Sequence, residues 1–185
     1  MILYGTDNLD RDSRAYELLA LAANEHWNFS ALPEIRREEG GKPYFPDFSQ
    51  NCFNLSHSGT LALCGLDDSP LGVDIQVVKQ WRPRLPARVC CQRELDWLDR
   101  QDDPDLGFAI LWALKEAAVK QSGLGLRTHI RDIQIPLPEC WNGPVFLNDL
   151  WFQVYSGADW AAAACGLTPP PAKILWKSLN FFSLP

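Results

Sequence analysis

Apolar residues recur along the chain with two different periods, and the alternation between them predicts its elements. From Ser13 to His26 the apolar positions Leu18, Leu19, Leu21, Ala22 and Ala23 share a helical face, and Ser13 is placed to cap the helix start. Cys52-Phe53-Asn54-Leu55 alternates with the two-residue period of a strand and is expected to run into a polar loop, Ser56-His57-Ser58-Gly59, before the apolar run Leu61 to Leu66. Asp67-Asp68-Ser69-Pro70 is the strongest turn in mid-chain, and the strand Leu71-Gly72-Val73-Asp74-Ile75-Gln76 follows it. Leu85 to Leu98 reads as a second helix and Leu106 to Gln121 as a third, stopped by Gly123-Leu124-Gly125. Ile133-Gln134-Ile135, Leu150 to Tyr155 and Trp160 to Leu167 read as strands, which makes about seven strands and three helices in all.

These elements divide into an N-terminal half, residues 1–70, a C-terminal half, 71–167, and a proline-rich tail, 168–185. A short internal echo supports two related halves, since Ala62-Leu63-Cys64-Gly65-Leu66 resembles Ala163-Ala164-Cys165-Gly166-Leu167. The tail cannot begin as a regular element, because Pro169, Pro170 and Pro171 remove three backbone donors. Its Trp176, Phe181 and Phe182 predict that it packs back on the body.

Composition narrows the reading further. With 46% hydrophobic side chains in 185 residues the chain can bury a sizeable core, which excludes a disordered segment. Seventeen Lys and Arg against 23 Asp and Glu give a net charge of −6, so no nucleic-acid partner is expected and any anionic ligand needs a local basic cluster. The opening Met1-Ile2-Leu3-Tyr4-Gly5-Thr6-Asp7 has neither a basic stretch nor an apolar run long enough for a leader or a membrane span. A cytoplasmic monomer without a membrane partner is the expectation. The six cysteines show no C-x-x-C spacing and read as reduced thiols.

Three clusters carry candidate chemistry. Ser56 beside His57 invites a nucleophile reading, but adjacent strand residues face opposite ways and no G-x-S-x-G elbow surrounds the serine. A polar loop closing a hairpin, or donors gathered for phosphate oxygens, fits better. Asp74 and Gln76, two apart on a strand, share a face while Val73 and Ile75 turn to the core. Trp112, Glu116 and Lys120 recur every four residues along one helix face, which alone would read as an ordinary salt-bridged surface. Together, a strand Asp with a helical Glu and Lys supplies the hard oxygen ligands and the cation that a Mg²⁺-pyrophosphate complex needs.

Gly41-Lys42-Pro43, Phe53-Asn54-Leu55-Ser56-His57-Ser58-Gly59, Gly72-Val73-Asp74-Ile75 and Trp112-x-x-Lys115-Glu116-Ala117-x-x-Lys120 occur in the order of the signatures of Sfp-type 4′-phosphopantetheinyl transferases, which the chain resembles from about Arg11 to Leu167. The resemblance implies an α+β pseudo-dimer of two similar halves with coenzyme A (CoA) between them. It implies that Lys42 and Pro43 border the adenine and that Ser56 and His57 contact the CoA phosphates. Asp74, Gln76 and Glu116 would form the Mg²⁺ site, Lys120 would hold the pyrophosphate, and Arg11 or Arg14 would stand near the 3′-phosphate. Glu116 and Lys120 are then the catalytic residues, Glu116 taking the proton of the acceptor serine and Ser56 serving as a binder. Gln76 departs from the usual family Glu, and the short front lacks the lysine-bearing stretch of longer members. Those departures motivate the one alternative, a CoA- or carrier-binding module that has lost transfer. The expected partner is an acidic acyl or peptidyl carrier protein, met by Arg82, Arg84, Arg88 and Arg93 close after the metal strand.

Overall fold

A computed structural model describes residues 1–9, 14–82, 84–125 and 129–179. The first sheet contains β1 (Ile2–Thr6), β4 (Cys52–Ser58), β5 (Leu61–Asp67) and β10 (Leu175–Trp176), in the order β10-β1-β5-β4. The second contains β6 (Leu71–Val77), β7 (Val145–Leu147), β8 (Leu150–Ser156) and β9 (Trp160–Gly166), in the order β6-β9-β8-β7. Between β1 and β4 run the helix α1 (Ala15–Trp27) and a small hairpin of β2 (Arg36–Arg37) and β3 (Pro43–Tyr44). Between β6 and β7 run α2 (Leu85–Val89), α3 (Gln92–Leu98) and α4 (Pro104–Ser122).

Strand alternation sorts the core into three layers. On β5, Ala62, Cys64 and Leu66 turn toward Leu18, Leu19 and Ala22 of α1, whereas Leu61 and Leu63 turn the other way. There they meet Leu71, Val73 and Ile75 of β6, all fully buried, so the two sheets lie face to face. On the far side, Phe108, Leu111, Leu114 and Ala117 of α4 pack on Phe152, Val154, Ala163 and Cys165. The order is thus helix, sheet, sheet, helix.

Several expected boundaries move, each for a physical reason. Ser56, His57 and Ser58 continue β4 instead of leaving it as a loop, because His57 pairs with Ala62 and Ser58 with Leu61 across the hairpin. The helix expected over Leu85 to Leu98 is two helices, broken where Glu94 accepts the Cys91 backbone N–H and caps the start of the second. Helix α4 begins two residues before Leu106, since Asp103 caps it and Pro104 suits the first turn. Ile133-Gln134-Ile135 is not a strand: the Ile133 carbonyl accepts from the Lys115 ammonium instead. The cap expected at Ser13 lies outside the described residues, as do Phe181 and Phe182.

The tail does return to the body where it is described. Tyr155 donates to the Pro171 carbonyl at 2.5 Å, Trp176 lies 5.3 Å from Trp160 ring to ring, and β10 pairs in parallel with β1. All six cysteines are free, and burial pushes the Cys90 and Cys165 thiols up to about 12. Among the described residues no helix is long and apolar enough to cross a membrane.

Candidate functional site

Helix α4 lies against β6 at very short range because Gly72 has no side chain. A Cβ there would sit 1.9 Å from the Ala117 carbonyl oxygen. Gly72, Asp74 and Gln76 share the face of β6 that looks at the helix, so the close approach brings Asp74 against the face bearing Glu116 and Lys120. Lys120 donates to the Asp74 carboxylate at 2.6 Å and to the Val73 carbonyl at 3.2 Å. The helical pairing of Glu116 with Lys120 is therefore replaced by a pairing of helix with strand.

Asp74 is buried, 2% exposed, and three donors surround its carboxylate. Oδ1 accepts from Lys120 and from the Ser56 hydroxyl at 2.7 Å, and Oδ2 accepts from the Gln76 amide at 2.7 Å. Glu116 is different. Among the described residues its carboxylate makes neither a hydrogen bond nor an ion pair. Burial pushes its pKa above the usual carboxylate range, the Asp74 charge adds to that rise, and Lys120 opposes it.

Glu116 and Lys120 open on a cleft of about 880 Å³, lined also by Lys42, Pro43, His57, Trp112 and Arg37. The Lys42 ammonium donates to the Gln121 carbonyl at 2.7 Å, one residue beyond Lys120. Burial lowers its pKa and the Glu38 charge opposes the fall. Arg37 donates to the Gly41 carbonyl and to the Tyr16 hydroxyl, both at 2.9 Å. One wall of the cleft thus carries Lys120, Lys42 and Arg37 in succession, a local positive run in a chain of net charge −6. Such a wall suits a multiply phosphorylated ligand.

The sequence-derived residues are gathered unevenly. Lys42, Pro43, His57, Glu116 and Lys120 line the cleft, while Asp74 and Gln76 lie beside it on β6. Ser56 is buried at 6% exposure, and its hydroxyl is engaged with Asp74 and with the Ile75 N–H at 3.3 Å. Arg14 is also buried and pairs with Glu17 at 2.8 Å, next to Ala15 and Tyr16 of the cleft lining. Arg11 lies outside the described residues.

Sequence reasoning passed over Tyr16, Arg37 and His129 in the cleft lining and gave Lys115 no role. Lys115 is fully buried, pairs with Glu94 at 2.9 Å, and donates to the carbonyls of Ile130, Arg131 and Ile133. It fastens α3 and the segment 130–133 to α4. Its signal was positional, for it falls on the apolar stripe of Phe108, Leu111, Leu114 and Ala118.

Comparison with known proteins gives the chain a family. A family model described as the 4′-phosphopantetheinyl transferase superfamily matches residues 70–165. The chain is 34% identical over 103 residues to the 4′-phosphopantetheinyl transferase Sfp of Bacillus subtilis (strain 168), an alignment covering 54% of this chain and 46% of that protein. It is 36% identical over 114 residues to the 4′-phosphopantetheinyl transferase AcpT of Salmonella typhimurium, covering 59% of each. A putative 4′-phosphopantetheinyl transferase of Haemophilus influenzae is 33% identical over 117 residues, covering 60% of this chain and 48% of the relative. The chain spans about half the length of the curated relatives it matches. With just over half of its residues matched by the family model, the chain belongs to the 4′-phosphopantetheinyl transferase superfamily.

Proposed function

We propose that this protein transfers the 4′-phosphopantetheine arm of CoA to a serine of an apo carrier protein, releasing 3′,5′-ADP. The observation that carries the reading is the cleft where the Glu116 carboxylate, unpaired among the described residues, stands beside Lys120 and the wall of Lys42 and Arg37. A diphosphate would find cations there, and an incoming hydroxyl would find a base.

The residues fit a divalent cation. Among the described residues no group of three or more His, Cys, Asp or Glu is placed to hold a metal. Asp74 and Glu116 are nevertheless close enough for one to raise the pKa of the other. Mg²⁺ commonly needs one or two carboxylates when phosphates and water complete its shell. Asp74 and Glu116 would hold it, and Gln76, whose amide N–H₂ is spent on Asp74, would at most orient a water. When bound, Mg²⁺ supplies charge neutralisation at the pyrophosphate.

The chain's own residues do the rest. Lys120 exchanges its bond to Asp74 for the pyrophosphate and stabilises the charge that leaves with 3′,5′-ADP. Glu116 accepts the proton of the carrier serine as that oxygen attacks the β-phosphorus. Lys42 and Pro43 border the adenine, and His57 meets the phosphates from the cleft side of β4.

The same reading takes the molecule as a pseudo-dimer of residues 1–70 and 71–167. In its support, β1-β5-β4 and β6-β9-β8 repeat one order, each with its middle strand antiparallel to both neighbours and a helix between its first and second strands in the chain. The echo of Ala62 to Leu66 in Ala163 to Leu167 falls on the two middle strands, β5 and β9. Nothing favours a binder that has lost transfer, since Asp74, Glu116 and Lys120 are all in place. Incubating the protein with CoA, Mg²⁺ and a panel of apo acyl and peptidyl carriers, then weighing each carrier by mass spectrometry, tests the reading. One phosphopantetheine added per carrier is expected; no gain across the panel would overturn it.

A further inference from the structure

β4 and β6 belong to different sheets, yet three side chains of β4 bind the backbone of β6. Asn54 Oδ1 accepts from the Val73 N–H at 3.0 Å, Ser56 Oγ from Ile75 at 3.3 Å and Ser58 Oγ from Val77 at 3.1 Å. The residues alternate on both strands, so the three bonds form a regular ladder in which side chains replace the carbonyls of a neighbouring strand. Each such bond contributes modestly on balance, whereas a buried N–H left without one is penalised more heavily.

Ser56 differs from its two neighbours on this seam. Its oxygen accepts from Ile75, and its single proton is given to Asp74 Oδ1 at 2.7 Å. Of the two other donors on that carboxylate, Gln76 is half-exposed on the same strand and Lys120 is the cation that must be released when a ligand enters. Ser56 alone reaches Asp74 from the other sheet while being itself buried. Asn54 and Ser58 do the seam's structural work without touching Asp74.

We infer that Ser56 is a positioning residue: it fixes the Asp74 carboxylate for a divalent cation and ties that geometry to the seam between the two sheets. This rests on the proposed function in taking Asp74 as a metal ligand and CoA as a ligand of the cleft. It assigns Ser56 to the carboxylate and not to the CoA phosphates, because its one hydroxyl proton is already committed on the protein side.

The test compares Ser56→Ala, Ser56→Thr and Ser58→Ala with the parent protein, using Mn²⁺ as the probe. Free Mn²⁺ is followed by electron paramagnetic resonance during titration in saturating CoA, CoA binding is measured separately by calorimetry in EDTA, and melting temperatures are recorded. Ser56→Ala should weaken Mn²⁺ about tenfold, leave CoA affinity in EDTA within about twofold, and be largely rescued in Ser56→Thr, which keeps the hydroxyl. Ser58→Ala loses a seam bond too and should melt lower while binding Mn²⁺ normally. Should Ser56→Ala not fold, Ser56→Cys, whose thiol is a weak donor of similar size, takes its place with the same expectation. Equal Mn²⁺ affinity in Ser56 and Ser58 variants would overturn the inference, as would a loss of CoA affinity in EDTA. No carrier enters these titrations, so their result stands whether or not transfer is seen.

Discussion

As the proposed base, Glu116 would pull stability and activity in opposite directions. Its pKa is raised, chiefly by burial and then by Asp74, so the folded protein binds this proton more readily than the unfolded chain does. The favourable contribution is then full below the ordinary carboxylate pKa and is lost as pH rises through the raised value. A proton acceptor, by contrast, works only once ionised, so turnover should rise through that same window. Glu116→Gln should therefore fold, melt slightly higher than the parent at neutral pH without ligands, and lose about 10² or more in turnover. A pH–rate profile beside a melting curve checks both halves. If the folded variant turns over near normally, Glu116 is not the base. The candidate was legible because Glu116 and Lys120 share a helix face, yet their i,i+4 spacing suggested the wrong pairing. Only the tertiary approach of β6 offered Lys120 the buried carboxylate of Asp74.

That approach belongs to the element scale and depends on Gly72. A methyl there would meet the Ala117 carbonyl at 1.9 Å and the Gln121 nitrogen at 2.5 Å, both backbone atoms that cannot rotate away. Gly72→Ala should push α4 off β6 and cost about 1–3 kcal/mol, measurable as a lower denaturation midpoint. It should also weaken turnover beyond what instability explains, since the same shift separates Lys120 from Asp74. Unchanged stability would show that the helix and strand tolerate wider spacing. Long periodic elements such as α1 and α4 were legible from the chain because their apolar residues face one layer, and β9 because its apolar run fills a strand buried on both faces. Local exceptions were not. The break between α2 and α3 depends on Glu94, whose carboxylate serves both the Cys91 N–H and the distant Lys115. Ser56 to Ser58 pair with β5 across the hairpin, but the hydroxyls that made them look like a polar loop are spent on β6, which lies beyond the reach of any local pattern.

At the scale of the whole molecule, the proposed function requires a protein of net charge −6 to meet an acidic carrier. The answer proposed here is local. Arg82, Arg84, Arg88 and Arg93 are all exposed, on α2, on α3 and just before them. Trp81, next to Arg82, lies 6.4 Å from Trp112, which lines the cleft, so the arginines begin beside the catalytic opening. Opposite charge at that rim steers encounter and fixes register more than it adds affinity, and its reach is about 10 Å at 0.1 M salt. Arg82→Glu combined with Arg88→Glu should therefore raise the KM for the carrier about tenfold or more at low salt and flatten its salt dependence. The KM for CoA should stay within about twofold if, as proposed, its phosphates face the separate wall of Lys120, Lys42 and Arg37. Steady-state kinetics across a salt series, with each substrate varied in turn, reads both effects. A KM change confined to CoA would move these arginines into the nucleotide site, and a carrier KM insensitive to the reversal would mean that the carrier docks elsewhere.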